Sequence, residues 1–217
     1  MFLGHLAVGL AAKKATPRVS LAMLLLAAQW ADTLWPVLLL AGIEHVRIDP
    51  GNTVFTPLAF VDYPYSHSLV ALLGWAVVIG GLYRGIVGGR RTMLVLGVLV
   101  LSHWGLDFVT HRPDMPLYPG GPLYGLGLWN SVPATIGIEL AMFAIGLFVY
   151  LSTTRARDRI GRWGFAGLVV VLVGAYIANI SSAPPPSVTV LAVAAIAGAG
   201  VMTLWAWWVD RHRDVVS

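Results

Sequence analysis

Apolar residues run along this chain in six blocks separated by short polar or Gly- and Pro-rich stretches, at about 20–43, 67–83, 92–111, 131–152, 163–181 and 188–209. A helix that crosses a bilayer needs about 17–25 such residues, so the pattern predicts six spans. The second block is the shortest and calls for tilt, local thinning or cover at its ends. Ser66 before His67 predicts a helix start, as do Asn130 and Ser131 before Pro133, because Pro suits a first helical turn. The run Ala183-Pro184-Pro185-Pro186 predicts a stiff turn between the last two spans. A further apolar stretch, residues 1–12, is too short to span. It precedes Lys13 and Lys14, the reverse of the order in a signal peptide, and is expected to be an interfacial or half-inserted helix. The expected fold is all-α: a polytopic membrane bundle of about six spans plus this short N-terminal helix.

Composition supports that class. Of 217 residues, 58% are hydrophobic and 11% charged, and the mean hydropathy is +0.78. There is room for about six spans and short loops, and none for an added soluble domain. The absence of cysteine excludes a disulfide framework and a thiolate zinc site. A net charge of +4 and a pI near 9.7 would suit nucleic acid, but the placement of the charges argues for another cause. All but Arg47 and Arg112 of the 14 Lys and Arg residues fall on one side of the predicted topology. The positive-inside rule makes that side cytoplasmic, with both termini there. The basic pI is then a product of topology, and no nucleic-acid partner is expected. The opposite side carries two long loops, 44–66 and 112–129, rich in Pro, Gly and aromatics. Such loops serve as lids or binding loops, or as interfacial segments anchored by Tyr and Trp.

Few ionisable residues interrupt the apolar blocks: Asp32, His67, His103, Asp107, His111 and Glu139. His103, Asp107 and His111 read H-x-x-x-D-x-x-x-H. Steps of four in a helix stack them on one stripe, each about 40° from the last. Counted from the cytoplasmic ends, Asp32 and His103 lie about 18 Å deep, Asp107, Glu139 and His67 about 24–26 Å, and His111 about 30 Å. Groups from spans one to four therefore share the outer half of the bilayer. His5 lies about 12 Å deep if residues 1–12 enter from the cytoplasmic face, and near the headgroups if they do not. Spans five and six bring no ionisable group and read as scaffold. On this basis residues 1–153 form a metal-site core and 154–217 a two-span scaffold of the same membrane domain.

Singly, each polar residue has a plain structural explanation. A histidine can bond to a neighbouring helix, Asp32 can bond to Thr33 or Trp30, and Glu139 can pair with Thr135. Together, at roughly 2.5–3.5 kcal/mol of insertion cost per Asp, they exceed what a scaffold needs. Neutral imidazole and carboxylate are ligands of zinc and of harder divalent ions. Catalytic zinc takes three such ligands, keeps a position for water and lowers that water's pKa. The expected cofactor is a divalent metal, zinc above others. A remaining Glu139 or His111 would serve in proton transfer, as catalytic groups beside the metal. Arg112, next to His111 at the outer interface, is placed to meet a substrate phosphate or to snorkel to headgroups.

The motifs Gly4-His5, Ala31-Asp32, Tyr65-Ser66-His67-Ser68-Leu69 and Ser102-His103 with Asp107 resemble a family of bacterial inner-membrane metal-dependent hydrolases, itself compared distantly with zinc-dependent phospholipase C. The likeness covers about residues 1–150. By position it implies His5, Asp32, His67, His103 and Asp107 as metal ligands. The family's Pro-Asp-x-Asp acidic motif is reduced here to Ala31-Asp32-Thr33, one carboxylate fewer. The expected function is a membrane-embedded hydrolase acting on a lipid or lipid-linked ester or phosphoester from the outer half of the bilayer. The alternatives are a transporter that uses the stripe as a proton or metal-ion relay, and a non-catalytic lipid-binding protein with a structural metal.

Overall fold

The first helix, α1 (Leu3–Ala15), is about 20 Å long, too short to cross a bilayer. In this computed structural model, which describes residues 1–216, it runs inside the bundle with Leu3, His5, Leu6 and Leu10 buried. Small residues allow its close fit: a Cβ at Gly146 would overlap the backbone of Ala7, and one at Gly9 would crowd the backbone of Leu24 and Leu25. An irregular, half-inserted segment is tolerated at membrane depth only where protein covers it, and here its neighbours do.

Helix α2 (Leu21–Ala28) is capped by Ser20, whose hydroxyl accepts from the Met23 amide. Helix α3 (Trp30–Leu40) leaves it at 62°. The predicted first span is thus a broken pair rather than one rod. The carbonyl of Ala28, left without a helical partner at the break, accepts from His103 Nδ1 at 3.0 Å. A hairpin follows, β1 (His45–Ile48) against β2 (Leu58–Asp62), and then one turn of helix, α4 (Pro64–His67). Helix α5 (Leu69–Ile86) begins only after Ser68, whose hydroxyl caps it through the Ala71 amide. This corrects two expectations. Ser68, not Ser66, is the cap, and His67 stands in a separate turn above the span instead of in its first turn. The physical reason is that the Ser66 hydroxyl is held by Glu44 and His67.

Helix α6 (Arg90–Thr110) packs along α5 and ends one residue before His111, whose backbone is extended. A second small hairpin, β3 (Met115–Pro116) with β4 (Leu123–Tyr124), leads to α7 (Val132–Thr153), which has proline in its first turn and lies along α1. After β5 (Thr154–Ala156), α8 (Phe165–Ser181) and α9 (Val188–Asp210) complete the bundle, the second packed on α2 and α3. Strand β6 (Arg213–Val215) pairs with β5. Among the described residues, five helical segments are long and apolar enough to cross a membrane, six if α2 and α3 count as one. The chain is a multi-pass membrane protein with an all-α bundle fold.

Candidate metal centre

The site forms where α1, α3 and α4 meet α6. One helical turn apart, His103 and Asp107 face each other, Nε2 to Oδ2 at 3.1 Å. From α1, His5 Nε2 reaches Asp107 Oδ1 at 3.0 Å, and its ring stacks on His103 with centroids 3.7 Å apart. From α4, His67 Nε2 lies 3.5 Å from Asp32 Oδ1 and 3.9 Å from Asp107 Oδ2. From α3, Asp32 Oδ1 lies 3.7 Å from His103 Nε2. Two sets of potential ligand atoms therefore converge within 4.8 Å: His5, His103 and Asp107, and Asp32, His67 and His103. Histidine 103 belongs to both. Each of the five predicted ligands is in one set or the other.

Hydrogen bonds assign the histidine tautomers. His103 Nδ1 donates to the Ala28 carbonyl, so its Nε2 presents a lone pair to the carboxylates. That nitrogen is buried and makes no hydrogen bond, despite lying 3.1 Å from Asp107 Oδ2. His67 Nδ1 is bound to Ser66 Oγ at 2.7 Å, again turning Nε2 inward. Lone pairs from imidazole and carboxylate that converge in a buried site repel unless a proton or a cation lies among them. A nitrogen–oxygen donor set, oriented from behind by hydrogen bonds, is what a zinc-like divalent ion takes. The residues fit such an ion. The α-amino group of Met1 adds an ion pair with Asp107 Oδ1. Exposure is unequal: the side chains of His5, His67, His103 and Asp107 are at most 2% exposed, and that of Asp32 is 40%. The cluster thus opens on one side, at Asp32.

The remaining predicted site residues stand apart from the two ligand sets. His111 Nε2 is 3.9 Å from Asp107 Oδ2, and its Nδ1 bonds to Asp114 Oδ1 at 2.9 Å. Asp114 also accepts from the Tyr63 hydroxyl at 3.2 Å. Burial, with the Asp114 carboxylate beside it, pushes the Tyr63 phenol well above its ordinary pKa and keeps it a donor. Arg112 is partly exposed, and its Nε reaches Asp114 Oδ2 at 3.3 Å. Glu139 does not pair with Thr135, which bonds to the Leu128 and Ser131 carbonyls. Its Oε2 instead accepts from the amides of Phe2, Leu3 and Gly4, closing the N-terminus of α1 just before His5. Its Oε1 is buried without a partner. Asp32 does not bond to Thr33, whose hydroxyl goes to the Gln29 carbonyl.

Glu44, Asp114 and the Ala28 carbonyl support the site and were not read from the sequence. Asp114 had a signal, three residues beyond His111. Glu44, 22 residues from Ser66, and a main-chain carbonyl had none. No known protein family, curated protein or solved structure matches this chain.

Proposed function

We propose that this chain is a membrane-embedded, metal-dependent hydrolase of the bacterial inner-membrane kind that its motifs resemble. The reading rests on the convergence of His5, Asp32, His67, His103 and Asp107 into overlapping ligand sets with one open side. A catalytic metal site keeps one coordination position free for water, and Asp32, the most exposed of the five side chains, marks the side from which water or substrate would reach the ion. Asp32, His67 and His103 would hold a divalent ion, zinc by ligand type, and His5 and Asp107 extend the set. Bound there, the ion supplies Lewis acidity to water and to a carbonyl or phosphoryl oxygen.

The protein's own groups supply the rest. Asp114 orients His111 through Nδ1 and leaves Nε2, facing Asp107, to take up or release a proton. Glu139 holds α1, and therefore His5, at its depth. Its free Oε1 is a second candidate for proton transfer. Arg112, partly exposed, suits an anionic headgroup. With the arginine-rich loops cytoplasmic, the cluster lies in the outer half of the bilayer, which favours a lipid or lipid-linked ester or phosphoester as substrate. A relay through the membrane finds little support. Between the cluster and the Lys13 end, the interior is packed with Val19, Leu24, Ala27, Leu72, Leu96 and Leu99.

Metal analysis of the purified protein tests the reading. Wild type is expected to carry stoichiometric metal and to release fatty acid or headgroup from bacterial lipids, and His103→Ala to do neither. A folded wild-type preparation that takes up no added zinc overturns it. Zinc uptake without hydrolysis of any lipid ester or phosphoester, with flux across proteoliposomes, would favour the transporter instead.

A further inference from the structure

Glu44 lies in the outer loop between α3 and β1, yet only 1% of it is exposed. Both of its oxygens are in use. Oε1 accepts from the amides of Tyr65 and Ser66 at 2.7 and 2.8 Å, and Oε2 accepts from the Ser66 hydroxyl at 2.6 Å. A hydroxyl has one proton. Given to Glu44, it leaves Ser66 Oγ only lone pairs for its other contact, His67 Nδ1 at 2.7 Å. His67 must then carry its proton on Nδ1. Its Nε2, across the ring, is bare and faces Asp32 and Asp107. Ser68 has no part in this, because its hydroxyl caps α5.

We infer that Glu44 is a positioning residue for metal binding, acting through Ser66 to hold His67 as the tautomer that ligates through Nε2. The inference rests on the reading of the cluster as a metal site. It explains why a carboxylate is buried in this loop: it can only accept, so it fixes the direction of every bond in the chain. A glutamine there would offer its NH2 to Ser66 Oγ. The hydroxyl would then turn to His67 Nδ1, and the imidazole proton would move to Nε2, where the lone pair is needed. The carboxylate–hydroxyl–imidazole chain is a form of the outer support that metal-bound histidines generally have.

Zinc affinity of the full-length protein in detergent, measured by competition with a chelating dye, tests this. Ser66→Ala is expected to bind zinc about 10–100-fold more weakly than wild type. Glu44→Gln should lose at least as much, while Ser66→Thr, which keeps the hydroxyl, stays near wild type. A merely structural role is separated by the His67→Ala background, where adding Ser66→Ala should change nothing further. Histidine 15N chemical shifts of His67 should report Nδ1 protonation in wild type and its loss in Glu44→Gln. If wild type binds zinc, and Ser66→Ala and Glu44→Gln bind it as tightly, the relay is overturned while the metal site stands. An equal loss with or without His67 overturns it too. A wild-type chain that binds no zinc overturns the metal reading and this inference with it.

Discussion

Two buried ionic clusters sit at opposite ends of α1, and they differ in how their charges are matched. At the far end from the histidines, Lys13 Nζ meets Asp210 Oδ2 at 2.7 Å and the Val19 carbonyl at 2.8 Å. The other Asp210 oxygen accepts from the Tyr150 hydroxyl at 2.8 Å, and the Leu21 amide adds a bond to Oδ2. One cation meets one anion, and both carboxylate oxygens are bonded. At the near end, Asp32, Asp107 and the Nε2 atoms of His67 and His103 converge, His5 Nε2 donates to Asp107 Oδ1, and His5 Nδ1 and His103 Nε2 are buried without hydrogen bonds. The first cluster is complete and acts as a clamp that joins α1, α2, α7 and α9. The second holds one cation, the Met1 α-ammonium on Asp107, and its remaining inward lone pairs at Asp32, His67 and His103 could hold another. Buried charge alone does not mark a functional site. An excess of oriented acceptors does.

The strongest way to break the contrast is at His103 and Asp107 on α6. Asp107→Ala and His103→Ala should each abolish metal binding. Zinc at 1,000 times its dissociation constant should stabilise wild type by about 4 kcal/mol, and these variants by nothing. Thermal unfolding in detergent with and without zinc reads this directly. Next in size is Lys13→Ala, which leaves Asp210 buried and unpaired. It should cost about 3–5 kcal/mol of stability, with zinc binding kept in the protein that remains folded. If Lys13→Ala removed metal as completely as His103→Ala does, the two clusters would not be separate.

Gly146→Val should have an intermediate effect. Its side chain would overlap the Ala7 backbone and displace α1. We expect a loss of about 1–3 kcal/mol, together with weaker zinc binding, because His5 rides on that helix. The smallest effect is expected at Asp158→Asn, a control for exposed charge. The Gly161 amide and His212 hold the Asp158 carboxyl below its ordinary pKa. Any contribution is therefore present above the ordinary carboxylate range and fades as acid protonates the group. At neutral pH the change in melting temperature should be near the limit of detection, with zinc affinity unchanged.

Much of the fold was legible because bilayer-length apolar runs have few alternatives: the blocks at 92–111, 131–152 and 188–209 correspond to α6, α7 and α9. The break between α2 and α3 was not, since Gln29 is no helix breaker and the Ala28 carbonyl is drawn out by a histidine 75 residues away. The choice between an interfacial and a buried α1 was also open. It depends on Gly146 and Glu139, which lie on a different helix. For the candidate site, residue type and depth pointed to a polar cluster within the spans, and the resemblance implied the five candidate ligands among them. Which atom of each imidazole faces inward depends on Glu44, Ser66 and Ala28, none of them recognisable as partners in a linear reading.

The sequence by itself determined that this is a many-spanning membrane chain, and which of its residues are too costly in a bilayer to be there for packing alone. Both follow from transfer energies, which belong to each residue regardless of its neighbours. Only the tertiary structure decided which of those residues meet, that the Lys13 cluster is closed while the His103 cluster is open at Asp32, and that His67 is held from behind by a loop carboxylate. Distances and hydrogen-bond directions between segments arise from packing. No single stretch of the chain contains them.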